Sequence, residues 1–327
     1  MATMPPTPLD RLPPWLLPML AGAALLLAQP LLTPYLQDLV LRIVVLAVFA
    51  LSLELLIGTT GLVSLGHAAF YGIGAYATVM LSPADGPGSI VLLLPAAAGC
   101  AALYALFVGA FSLRTKGVYF IMVTLAFAQM AYFVFHDTKF GGGTDGIYLN
   151  FPPVLGDAAK PLLDGGDKPT LYRLAAGVLI ATYALLAMLR RSRFGHALAG
   201  IRVNEQRMRA AGFPTTLYKL AAFVIGGALA GVAGFLVAVK DGVVNPELLS
   251  WHVSGEVMLV IILGGLGHLR GAVIGAVAFV LLKEALSNPA LLGRAADHWQ
   301  LTLGFTVIVF VALLPQGLIG VLQRTRS

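Results

Sequence analysis

Ten apolar runs separated by short polar segments set the first constraint on this chain: residues 15–33, 38–57, 66–82, 89–112, 117–135, 170–190, 217–239, 252–268, 270–287 and 299–321. A helix crossing the hydrocarbon core of a bilayer needs roughly 20 apolar residues, and most of these runs have that length. A soluble domain of 327 residues has no core large enough to bury them all. With 58% hydrophobic residues, 11% charged and a mean hydropathy of +0.88, the chain is expected to be an all-α polytopic membrane protein with about ten transmembrane helices. The run at 252–268 is short and open to a re-entrant reading. The first run follows one basic residue, Arg11, but carries Pro18 and Pro30, so it reads as an uncleaved helix rather than a signal peptide.

Lysine and arginine collect at three places: Arg114 and Lys116; the cluster Arg190, Arg191, Arg193, Arg202, Arg207 and Arg209; and Arg324 with Arg326. Basic loops stay on the cytoplasmic side. All three fall there together if each intervening run crosses once, which places both termini inside and the loop 136–169, with five Asp and three Lys, outside. The net charge of +6 then belongs to membrane orientation, not nucleic-acid binding. Cys100, the single cysteine, has no intrachain partner and is expected to pack.

Within this frame the stretch Glu54–Met80 stands out, because a carboxylate and a Gly, Thr and Ser segment interrupt the apolar pattern. Non-helical backbone at membrane depth is tolerated only where protein or a water-lined cavity satisfies it, so the stretch is a candidate pathway wall. The residues expected to line it are Glu54, Thr59, Thr60, Gly61, Ser64 and His67, with Tyr71 and Tyr76 on the following helix. A passing zwitterion needs weak polar contacts rather than a deep well. The bland readings are that each hydroxyl bonds back to its own helix and that His67 packs between helices. Glu54 requires a counter-charge or water, since a charge in a span costs about 2.5 to 3.5 kcal/mol. Arg42 is twelve residues away, about 18 Å along a helix, so the partner must come from another span. His67 would be within reach only if the chain folds back after Gly61.

The basic loop 191–216 is the longest polar connection on the inner side. Arg202 to Ala211 has the composition of a short helix that Gly212 and Pro214 would stop. Apolar Ile201, Val203, Met208 and Phe213 interleave with its charges, a mixture suited to docking a protein. Small residues along 222–234 and 264–275 predict close helix packing. The segments LGHAAFYGIGA at 65–75 and LGHLRGAVIGA at 266–276 share six of eleven residues, through an internal repeat or through chance similarity of Gly- and Ala-rich helices. The six histidines are scattered without a metal-binding spacing, no G-x-x-x-x-G-K-[ST] phosphate loop occurs, and no cofactor or catalytic residue is expected in this chain.

Several co-linear segments carry a family resemblance: GTTGLVSLGHAAFYGIGAYA at 58–77, TKGVYFIMVTLAFAQM at 115–130, GGGTDGI at 141–147, SRFGHALAGIRVNEQRMRAAGF at 192–213, SGEVMLVIILGGLGHLRGAVIGA at 254–276 and LLPQGLIG at 313–320. The chain resembles the LivM-type permease of branched-chain amino acid ABC transporters, within the hydrophobic amino acid uptake permease superfamily. The resemblance implies one permease domain over 1–327 with the ABC importer permease fold, in a bacterial cytoplasmic membrane. It also implies a second, LivH-type permease subunit, two ATP-binding subunits beneath them and an extracytoplasmic solute-binding protein. Coupling to the ATPases would then fall on Arg202, Asn204, Glu205, Arg207, Arg209, Ala210, Ala211 and Gly212.

Two departures from the family pattern stand out. Thr59 occupies a place where relatives commonly carry an aromatic residue, and Val203 interrupts a common R-D-N-E segment. The first opens an alternative solute, since permeases for urea, short amides or aromatic acids look similar. A stand-alone secondary transporter is the other alternative, and it leaves the long basic loop without a role.

Overall fold

A computed structural model describes residues 22, 25, 26, 29–157, 160–289, 293, 298–314 and 316–324. Twelve α-helices are built from them: α1 (Pro34–Glu54), α2 (His67–Met80), α3 (Ile90–Ser112), α4 (Val118–Asp137), α5 (Lys168–Arg191), α6 (Arg193–Val203), α7 (Glu205–Ala210), α8 (Thr215–Asp241), α9 (Trp251–Gly264), α10 (Leu269–Ser287), α11 (Trp299–Leu313) and α12 (Gly317–Arg324). The all-helical membrane expectation holds, apart from four short strands among the described residues, all at one end. Among the described residues six helical stretches are long and apolar enough to cross a bilayer, at 34–60, 90–112, 118–137, 168–191, 215–241 and 299–320. A seventh arises if α9 and α10, bent by 112° at their junction, form one broken span.

The runs at 66–82 and 252–268 are therefore not full-length helices. α2 and α9 have 14 residues each, about 21 Å at 1.5 Å per residue. That is short of a hydrocarbon core of roughly 30 Å. The short eighth run, open to a re-entrant reading from its length, ends at this 112° bend. Of the expected first span at 15–33, residues 15–21, 23, 24, 27 and 28 lie outside the described residues.

α1 and α8 form the centre. Each is mostly buried along its apolar length, whereas α3, α4 and α11 bury only one edge. α8 packs against α2 and α3 through small residues. A Cβ added at Gly231 would overlap Ala101 and the Ala97 carbonyl, and one added at Gly74 would overlap the Gly231 backbone. Gly264, Gly271 and Gly275 bring α9 and α10 together in the same way. Lipid gives helices little hydrophobic reason to associate, so this close approach supplies dispersion contacts instead.

The two ends differ. At one, β1 (Ile147–Tyr148) pairs antiparallel with β4 (Val243–Val244), and β2 (Val154–Asp157) with β3 (Lys160–Asp164), so the loop 136–169 is folded against the bundle. At the other, Lys116 Nζ lies 3.9 Å from Glu205, so two of the three basic clusters share that end. The side chains of Arg324 and Arg326 lie outside the described set.

Candidate functional site

The interruption after Glu54 is a widened helical end. α1 begins with Thr33 accepting from the Leu36 N–H and Pro34 in the first turn, where its missing N–H costs nothing. It continues past Glu54 as a π-type turn over Leu55–Thr60, which Gly61 ends at φ +74°. Thr60 Oγ1 donates to the Leu56 carbonyl at 2.6 Å, so this hydroxyl bonds back into its own turn. Such turns are uncommon and concentrate at functional sites. The chain then folds back. α2 starts with His67 against Ser52 and Phe49, within the last two turns of α1, and Gly66 is wedged against the Thr124 backbone.

His67 is fully buried, and it meets Ser52 rather than Glu54. Ser52 Oγ donates to the Phe49 carbonyl at 2.6 Å, which leaves it as the acceptor for His67 Nε2–H at 2.8 Å. His67 Nδ1 is then an acceptor with no hydrogen-bond partner among the described residues. The ring stacks on Phe49 and meets the Phe70 edge, and Phe49 stacks in turn on Tyr71 at 4.5 Å. Tyr76 donates to the Gly141 carbonyl at 3.2 Å and stacks on Phe135. Ser64 accepts from the Gly66 N–H at 3.2 Å. These contacts place His67, Tyr71 and Tyr76 in packing between helices.

Thr59, with Gly58, borders an open cavity of about 410 Å³ whose other walls include Arg190, His196, Arg202, Val203 and Gly267. Glu54, 1% exposed, sits behind this wall: a Cβ on Gly58 would collide with its Oε1. Neither carboxylate oxygen closes a hydrogen bond of normal geometry among the described residues, and the charges acting on it are those of Arg190 and Arg202. The counter-charge thus comes from outside α1, as the spacing to Arg42 required, but from two arginines of the basic loop region instead of from His67.

The basic loop folds as two helices, where one continuous helix over 202–211 was expected. Asn204 is extended at φ −156°, ψ 97°, which breaks the run, and its side chain caps α7 by accepting from the Arg207 N–H at 2.9 Å. The stop falls where expected, with Gly212 at φ +84° followed by Pro214. Glu205 spends its charge within the chain, accepting from Arg209 at 2.7 Å, Lys219 Nζ at 2.7 Å and Thr215 at 3.2 Å. Partial burial alone would raise its pKa; Lys219, Lys116 and Thr215 outweigh that and hold it below the ordinary carboxylate value. Arg207, Ala210, Ala211 and Gly212 remain exposed on the outer surface of α7 and the turn after it.

Three polar residues of this region were not singled out as site residues from sequence. Ser254 Oγ of α9 accepts from the Ala68 N–H at 2.8 Å, capping α2. Ser52 holds His67. Arg190 donates to the Gly267 carbonyl at 2.9 Å, although its position among span-end arginines suggested orientation alone. Nothing in an apolar run marks one serine as a partner for a helix that lies elsewhere in the chain.

Residues 35–314 match the family model described as the permease component of branched-chain amino acid transport systems. The chain belongs to that family. It is 28% identical over 301 residues to the high-affinity branched-chain amino acid transport permease protein LivM of Salmonella typhimurium, covering 86% of this chain and 69% of that protein. To the LivH protein of Escherichia coli K12 it is 25% identical over 84% of this chain and 91% of LivH. To BraD of Pseudomonas aeruginosa it is 24% identical over 89% and 98% respectively. No solved structure matches the chain. This permease is a multi-pass membrane protein, and its family is one of transport components rather than enzymes.

Proposed function

We propose that this permease is one membrane subunit of an ATP-driven importer of branched-chain amino acids in a bacterial inner membrane, with the α5–α8 connection facing the cytoplasm. The match to the branched-chain permease family across 35–314 carries the reading. A second permease subunit of the LivH type completes the pathway, two ATPases dock beneath, and a binding protein delivers solute to the end formed by the 136–169 loop. The exposed surface of α7 and its stop, at Arg207, Ala210, Ala211 and Gly212, meets the ATPase, while Asn204, Glu205 and Arg209 stiffen it from within. Arg202 faces the helix break. The pathway runs beside the segment Glu54–Ser64, with Thr59 and Gly61 nearest the cytoplasmic mouth and His67, Tyr71 and Tyr76 shaping the wall behind.

Reconstitution tests this. Vesicles holding this chain, its permease partner, both ATPases and the binding protein are expected to accumulate leucine, isoleucine or valine only with ATP. Equal uptake without nucleotide overturns the importer reading. Uptake of urea, a short amide or an aromatic acid in place of the branched-chain amino acids overturns the substrate and leaves the machine standing.

A further inference from the structure

The chain is interrupted twice at the same end of the bundle, and an arginine holds each interruption. Arg202, on α6, donates to the carbonyl of Gly58 within the π-type turn. Arg190, at the end of α5, donates to the carbonyl of Gly267, in the break between α9 and α10. Both carbonyls lie where regular helix hydrogen bonding lapses, so both need an outside donor. The two breaks are joined again deeper in the bundle, where Ser254 of α9 caps α2. Glu54 lies behind Gly58; its carboxylate oxygens close no hydrogen bond of normal geometry among the described residues, and the Gly267 backbone N–H acts on it beside the charges of Arg190 and Arg202. A buried carboxylate that no side chain hydrogen-bonds can take a further donor; the Arg202 bond to the Gly58 carbonyl is charged on the donor side alone, whereas a bond to Glu54 would pair two opposite charges.

We propose that Arg202 and Arg190 are positioning residues that strap the two helix breaks to the α5–α8 segment, with Glu54 as the acceptor to which Arg202 transfers when that segment moves. Movement of α6 would withdraw the donor from Gly58 and release the π-type turn beside the cavity. Arg190 keeps the α9–α10 break in step, because it follows the end of the same helix that leads into α6. Arg202 therefore acts inside this permease and not on the ATPase surface. The inference rests on the importer reading above, and its test separates the two.

The experiment uses the complete reconstituted importer with Arg202→Ala, Arg202→Lys, Arg202→Gln, Glu54→Gln and the double variant Glu54→Gln with Arg202→Ala. In Arg202→Ala the ATPases are expected to co-purify and hydrolyse ATP at their basal rate, while uptake falls about tenfold or more, the scale of one hydrogen bond to a charged group. Arg202→Lys should recover most of the uptake. Arg202→Gln keeps a donor for Gly58 but offers Glu54 no charge, and should remain uncoupled. If Arg202 and Glu54 act on each other, the double variant is no slower than the slower single one, whereas independent effects multiply; multiplied losses overturn the proposal. Loss of the ATPases from Arg202→Ala also overturns it, by making Arg202 a docking residue. Should Arg202→Ala fail to reach the membrane, adding Glu54→Gln is expected to restore its accumulation by removing a carboxylate that has lost one of its two counter-charges, and failure to do so counts against the pairing. Absence of ATP-dependent uptake in the unsubstituted complex would sink the importer reading instead.

Discussion

Ser254 Oγ lies 2.8 Å from the backbone nitrogen of Ala68, so the first turn of α2 is capped by a side chain from α9, 186 residues further along the chain. The α2 helix has no cap of its own, because the residue before it, Gly66, has no side chain to offer. Replacing Ser254 by Ala removes an acceptor from a buried N–H, which costs about 1 to 3 kcal/mol. Ser254→Ala is therefore expected to lower the resistance of the purified complex to detergent-induced unfolding, with Ser254→Thr closer to the parent. Unfolding midpoints that do not move would mean the Ala68 N–H finds another acceptor.

Gly231 and Gly74 set the distance between α8 and α2, and Gly231 also receives α3. Valine at Gly231 would overlap Ala101 and the backbone of Ala97, and overpacking of this sort typically costs about 1 to 3 kcal/mol. Gly99, on α3, provides the control, since a Cβ there meets nothing within 4 Å. Gly231→Val should reduce the amount of folded permease recovered from membranes while Gly99→Ala does not; equal recovery of both would refute the close approach.

Apolar length and small-residue spacing made the membrane architecture and the tight α2–α8 and α9–α10 packing readable from sequence, because both are local properties of a run. The depth of a helix start is not local. His67 reads as an extension of the Gly, Thr and Ser segment, yet the chain folds back after Gly61 and places the ring beside Ser52 and Phe49. Glu54 likewise announced that it needed a counter-charge, but which arginine answers depends on where α5 ends. The helix expected over Arg202–Ala211 missed its break because Asn204 does double duty as the end of one helix and the cap of the next. The similar segments at 65–75 and 266–276 each contain the start of a helix that follows a broken stretch, α2 at His67 and α10 at Leu269. That shared placement gives the likeness a structural counterpart.

Gly212 sits at φ +84° with open space around its Cβ position, so a substitution there is opposed by backbone conformation and not by collision. Left-handed backbone costs a side-chain-bearing residue roughly 1 to 2 kcal/mol, with Asn the best tolerated. Gly212→Val is expected to disturb the turn after α7 and abolish uptake while membrane insertion persists, and Gly212→Asn should keep most activity. If both variants transport equally well, the turn after α7 plays no part in coupling.

The Glu205 network supplies a pH dependence with a definite sign. Glu205 has a folded-state pKa below its ordinary value, because the favourable contacts with Lys219, Lys116 and Thr215 exceed the opposing effect of burial. A depressed carboxylate stabilises the folded form above the unfolded pKa, and that contribution disappears as pH falls through the folded one. Between pH 6 and 8, well above the ordinary Glu pKa of about 4.3, the tether between α7 and α8 should therefore hold constant; acidification below that ordinary value, through the depressed folded one, should release it. Hydrogen–deuterium exchange of residues 204–216 in the detergent-solubilised complex, with rates corrected for intrinsic pH effects, is expected to stay flat through the neutral range and rise at the acid end. In Glu205→Gln, which cannot ionise, exchange should already be fast at pH 7 and should lose its acid rise. A wild-type profile that climbs between pH 6 and 8, or a Glu205→Gln profile identical to wild type, would show that the carboxylate is not what holds α7 against α8.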